Sequence, residues 1–232
     1  MAAKRNARGV AQAFATADIR YVFTTQYLCA SAIFARRCKE IENTYQSNPN
    51  GNVEVEHRGL VTAAIMQSVA AVEAESAELT MHGPGSHLGS DKLDKNARDI
   101  LLPLAEFIDD QEALSRFEII LHILGKRPML KGGQPWQDMA ILIRLRNELV
   151  HYKSKWGEQM SREKFIGKTL TGLGFAPPPF IHPGSQFFPH RLLGAACAGW
   201  AVRTAVAFVN AFYERMEIES RLRSFMPQFA GL

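Results

Sequence analysis

"HRGLVTAAIMQSVAAVEAESAELTMH", residues 57–82, is the stretch on which the fold turns. Alanine, leucine, methionine and glutamate dominate it, and these are strong helix formers. It begins evenly apolar and admits Glu73, Glu75 and Glu78 only in its second half. This predicts a helix over residues 54–81, buried along most of its length, and such a helix needs other helices around it.

The flanks supply them. Upstream, "QSNPNGN" (46–52) is dense in turn residues and closes a first helix over 17–45, where Ile19, Val22, Tyr27, Ile33, Phe34 and Ile41 recur at spacings near three and four. Downstream, "HGPGSHLGSD" (82–91) ends the long helix. Two shorter helices follow over 92–110 and 111–124, with Pro103 interrupting the first, then a loop over 125–136 and a helix over 137–154. Residues 157–190 carry a three-proline run, several glycines and five phenylalanines. A stretch of this kind is a lid, a binding loop, or an irregular wrap whose phenylalanines patch the core; the wrap is preferred. The last helix, over 191–225, carries Leu193, Cys197, Trp200, Thr204, Phe208 and Phe212 along one stripe and turns polar after Tyr213.

Sustained alternation and internal repeats are both missing, so the expected fold is all-α. It is an antiparallel helical bundle with one core over residues 15–225 and a long irregular insert before the last helix. Residues 1–14 read as a frayed basic end and 226–232 as a tail.

Composition agrees. The 232 residues are 47% hydrophobic and 22% charged, enough to bury a core and too apolar for a disordered chain. The net charge of +4 suits a nucleic acid or another anionic partner, although many soluble proteins share it. Cys29, Cys38 and Cys197 form no C-x-x-C pair; they exclude a disulfide framework and read as small buried hydrophobes in a reducing cytoplasm. The apolar runs at 61–72 and 192–202 fall short of the ~20 residues of a membrane helix, so no membrane association is expected.

The chemistry-bearing stretch is "IRLRNELVHYKSKW", residues 143–156. Two readings fit it. In one, Arg144 and Glu148 pair on a solvated face, Tyr152 buries its ring, and Lys153 and Lys155 complement the helix C-terminus. In the other, Arg146 offers a planar fork of donors to a phosphate, His151 moves a proton, and Asn147, one turn from the histidine, orients it or binds a second phosphate oxygen. An arginine and a histidine suffice, without metal, for attack of a ribose 2′-OH on its own phosphate. On an ideal helix, residues five apart lie about 140° apart, so Arg146 and His151 do not share a face.

"RNELVHY" resembles the signature of the HEPN superfamily (higher eukaryotes and prokaryotes nucleotide-binding domains): an arginine followed by a polar residue, with a histidine four to six residues on. Arg146, Asn147 and His151 match its short form, late in a helix of an all-α domain. The long second helix with Glu73, and the last helix with "CAGWAVRTAVAFVNAF", are similar to those of the group. The resemblance implies a homodimer whose motifs face one cleft, and metal-independent ribonuclease activity, often in toxin–antitoxin, antiphage or stress systems. By it, Arg146 grips phosphate, His151 is general acid or base and Asn147 assists, with Arg144, Tyr152 and Lys153 as further substrate contacts and no cofactor. Some members bind nucleotides or RNA without cutting. In some toxin members a tyrosine two places after the histidine is modified by an antitoxin; Lys153 holds that place here, and the insert at 157–190 exceeds the compact members.

The remaining polar residues carry weaker signals. His82 and His87, and His182 and His190, flank glycine-rich turns without metal-ligand spacing. Ser154 and Ser161 lack a nucleophile elbow, and "GPGSHLG" and "GLGF" lack a preceding strand. His57 reads as a surface residue and His122 as a core-edge one; Glu73 or Glu75 pairs with Arg146 if their helices pack together.

Overall fold

A computed structural model of the chain describes residues 22–49, 52–80, 93–152 and 164–232. It is all-α, 73% helical, with no strand among the described residues. The helices are α1 (Phe23–Ser47), α2 (Glu54–Thr80), α3 (Lys95–Leu101), α4 (Ala105–Asp109), α5 (Ala113–Ile123), α6 (Trp136–Val150) and α7 (Ala195–Met216). As the proline predicts, one 3₁₀ turn at Leu102–Leu104, bearing Pro103, separates α3 from α4.

The long α2 lies at the centre, packed on α1 and α7 and flanked by α4, α5 and α6. Small residues let α1 and α2 approach closely: Ser31 donates to the Ala64 carbonyl at 2.8 Å and meets the Ser68 hydroxyl at 2.7 Å, among buried Ala32, Ala35 and Ala71. Aromatic rings fill the space between α5 and α7, where Phe117 meets Phe208 and Phe212 edge to face at 5.0 and 4.8 Å. The predicted stripe of α7 is this core face; Cys197, Trp200, Thr204, Phe208 and Phe212 are all buried. α7 is long and apolar enough to cross a membrane by composition, but 67% of its apolar window is buried inside this bundle.

The late glutamates of α2 are structural. Glu78 accepts hydrogen bonds from the Phe23 and Thr24 amides at 2.6 and 3.1 Å, so it satisfies the open N-terminus of α1. Glu75 is wholly buried and accepts from the Tyr213 hydroxyl at 2.6 Å. Arg221 sits 3.3 Å from Glu75 and also pairs with Glu78. This is why α7 stops at Met216 rather than reaching 225: Glu217 takes a left-handed turn at φ 59°, and the chain doubles back to seat Arg221 on α2. The tail then lies along α1, where Arg36 donates to the Gln228 carbonyl at 2.6 Å.

The insert behaves as a wrap. Two π-helical turns, Lys164–Leu170 and Phe187–Arg191, are joined by tight turns, and Phe165 and Phe188 are buried. Phe180 sets its ring 4.9 Å from His57 and 5.4 Å from Tyr45. His57 therefore corrects the surface reading: it is 1% exposed, while His122 is the exposed one. Its Nε2 lies 2.9 Å from Glu42 Oε1, which also accepts from the Ala195 amide at 2.7 Å and so caps α7. Glu42→Ala leaves a buried imidazole and a helix N-terminus without their acceptor. It is expected to cost about 1–3 kcal/mol in urea unfolding, and Glu42→Gln, which still accepts, less than half of that.

Burial pushes the Cys38 and Cys197 thiols up to about 12, so both stay protonated hydrophobes; Cys29 is half-buried.

Candidate functional site

α6 carries the Arg-Asn pair, and the packing of its apolar residues decides where each polar group points. Met139, Leu142 and Leu145 are buried against α2 and α7. The residues beside them, at 140, 143, 146 and 147, therefore look along the flank towards α2 and the start of α5. There they line an open groove of about 370 Å³ whose opposite walls are Glu73, Glu112 and Leu114. Its floor and walls are part apolar, from Ile143 and Leu114, and part charged.

Arg146 enters this groove already engaged. Its Nη2 donates to Glu73 Oε1, at side-chain exposures of 24% and 37%, and its buried Nε has no hydrogen-bond partner. Asn147 is exposed beside it. Of the two glutamates open to pairing, Glu73 holds Arg146, and Glu75, two residues on, belongs to the Tyr213–Arg221 cluster.

His151 is elsewhere. α6 ends at Val150, shorter than the expected 154, and His151 is its C-cap, with the amide bonded to the Asn147 carbonyl at 2.9 Å and the ring exposed. It does not line the groove. The structure thus brings Arg146, Asn147 and Glu73 together and leaves His151 one turn on, at the exposed end of the helix. Val150 and Tyr152, 50% and 47% exposed, flank it. Tyr152 is not buried as the solvated-face reading requires; its ring lies 6.1 Å from Phe188 of the insert.

Arg144 points to a third side. Its guanidinium lies 4.1 Å from the centre of the Phe165 ring, a cation–π contact, and no ion pair joins it to Glu148 among the described residues. The described part of the insert thus touches the motif segment on both sides of the histidine, at Arg144 and Tyr152, and does not line the Arg146 groove. Lys153, expected as a substrate contact, lies outside the described residues, as do Lys155, His82 and His87.

Glu112, Phe165 and Phe188 were not anticipated at the site. No spacing signal links them to α6, because each comes from another element and meets the motif only through packing. Among the described residues no group of three or more His, Cys, Asp or Glu side chains converges as a metal centre would. The chain matches no family model, no curated protein and no solved structure.

Proposed function

We propose that the chain is a metal-independent endoribonuclease of the HEPN type, acting on RNA in the cytoplasm as a homodimer, in the setting of a toxin, defence or stress system. The observation that carries this reading is the end of α6: an exposed imidazole at the helix cap, Asn147 one turn before it, and Arg146 and Asn147 opening on a groove. In the reaction the ribose 2′-oxygen bonds to phosphorus, the P–O5′ bond breaks, and a 2′,3′-cyclic phosphate and a 5′-hydroxyl result. His151 takes the 2′-hydroxyl proton or delivers one to the leaving oxygen, and Arg146 neutralises the charge that builds on the phosphorus oxygens. Because Arg146 and His151 of one chain face different ways, a dimer supplies the pair, the histidine of one subunit beside the arginine of the other.

Exposed Tyr152, backed by Phe188, offers a face on which a base next to the scissile phosphate stacks. Tyr152→Ala is expected to weaken binding of a short RNA by about 1–3 kcal/mol in a fluorescence titration, with Tyr152→Phe close to wild type.

One observation favours a second reading, a non-catalytic RNA- or nucleotide-binding or assembly module: Arg146 is already neutralised by Glu73. The test is incubation of purified protein with structured RNA in EDTA. The first reading expects fragments ending in cyclic phosphate; intact RNA sinks it. The second then expects Arg146→Ala to weaken a salt-sensitive RNA affinity, and fails if no affinity exists.

A further inference from the structure

The groove at Arg146 has the wrong charge for its proposed ligand. Glu73 and Glu112 contribute two carboxylates against one guanidinium, so the three groups together carry an excess negative charge. A phosphate entering this groove meets an arginine whose donors are partly spent and a second carboxylate across the gap. Repulsion between like charges lining one groove opposes such entry.

We infer that Glu73 is a built-in competitor for the RNA phosphate at Arg146: it occupies the guanidinium in the free chain, and RNA binds there only by displacing it. This inference rests on the RNA reading above and concerns the regulation of the same site. Three observations support it. The Arg146–Glu73 pair lies in an open groove rather than in the core, so a ligand can reach it. The two side chains come from different helices, α6 and α2, so the pair separates by a rotamer change without unfolding either helix. Among the described residues Arg146 is bonded to Glu73 through Nη2 alone, with its Nε buried and unpartnered, so Glu73 does not use every donor of the guanidinium. The Arg221 cluster is the contrast: there the pair is buried, shared among Glu75, Glu78 and Tyr213, and closed to any ligand.

The consequence is an affinity threshold. A single weak phosphate contact does not dislodge Glu73, whereas a strand held at further points does. Glu112 adds to the threshold from across the groove without pairing to Arg146, so its effect is smaller.

The test is binding of a short fluorescent oligoribonucleotide to wild type, Glu73→Gln, Glu73→Asp and Glu112→Gln across a salt series. Removing the competing charge is expected to tighten binding roughly tenfold in Glu73→Gln and by a smaller factor in Glu112→Gln, with Glu73→Asp at the wild-type value. The slope of log affinity on log salt is expected to become shallower by ~0.7 when Arg146→Ala is added to Glu73→Gln, because one phosphate of the single strand then loses its neutralising arginine. Adding Arg146→Ala to Glu73→Gln must erase the gain. Weakened or unchanged RNA affinity in Glu73→Gln, with wild-type binding still dependent on Arg146, overturns the inference and leaves the RNA reading intact; Glu73 is then a strut for Arg146. If RNA binding is absent or indifferent to Arg146, the RNA reading fails, and inorganic phosphate decides the inference separately. A phosphate-induced thermal shift in Glu73→Gln but not in wild type supports the competitor role, and no shift in either refutes it.

Discussion

Arg221→Ala is expected to lower the stability of the chain by about 3–5 kcal/mol, because it strands buried carboxylates rather than merely removing a contact. Arg221 is 7% exposed, lies 3.3 Å from the fully buried Glu75, pairs with Glu78, and donates to the Tyr213 hydroxyl at 3.0 Å. It also fixes the turn after α7, so its loss frees the tail along α1. Burial pushes the Glu75 carboxyl upward; the Arg221 charge and the Tyr213 hydrogen bond work against that rise. A carboxyl raised in the folded state binds protons more readily there than in the unfolded chain, so its contribution is full below the ordinary carboxylate range and fades as pH climbs through the raised value. Without Arg221 the rise is larger, and the variant is expected to regain stability on acidification over a wider span than wild type. Glu75→Gln is the control: its amide oxygen still accepts from Tyr213, and Arg221 keeps Glu78. Urea unfolding across a pH series measures all three proteins. A loss below about 1 kcal/mol in Arg221→Ala would show that the cluster relaxes or takes up water and is not an anchor.

The helices were legible because their burial is periodic. Residues 57–82 imply a central helix, and α2 runs over Glu54–Thr80 in the middle of the bundle. Pro103 broke its helix for a local reason, the missing amide, and local reasons can be read from sequence. The errors share a different cause. α7 was expected to continue to 225, since nothing in its composition forbids it; it ends at Met216 because Arg221 has partners on α2, more than 140 residues away in sequence. The surface reading of His57 fails because Glu42 and Phe180, on two other elements, bury it. At the site, the 100°-per-residue rule separated Arg146 from His151 correctly in direction, and the early end of α6 separates them further. Helix geometry could not give the charge of the groove, because Glu73 reaches it from α2 and Glu112 from the start of α5. Sequence near a motif fixes which way its side chains leave the helix; what they meet is a property of the packing.

That separation of Arg146 from His151 makes the sharpest prediction. His151→Ala is expected to reduce RNA cleavage by about 10²–10⁴-fold, the span over which a positioned general acid or base acts. The fold should be unaffected, since the ring is exposed and only the backbone amide of His151 bonds into α6. Unfolding transitions of variant and wild type should therefore coincide, which separates lost chemistry from lost structure. Arg146→Ala is expected to be similarly inactive. If both groups came from one chain, mixing the two inactive proteins would yield nothing. If each site takes its histidine from one subunit and its arginine from the other, a mixed dimer of Arg146→Ala and His151→Ala chains contains one intact site and one doubly damaged site. Mixing and refolding the variants in equal amounts then gives half of the chains in mixed dimers, each with half of its sites active, so about one quarter of wild-type activity returns. Recovery near that level establishes the shared site; no recovery, with mixed dimers demonstrated by mass, rules it out. The pH profile supplies a second check, since the limb that belongs to His151 should vanish in His151→Ala while the residual rate keeps any other dependence.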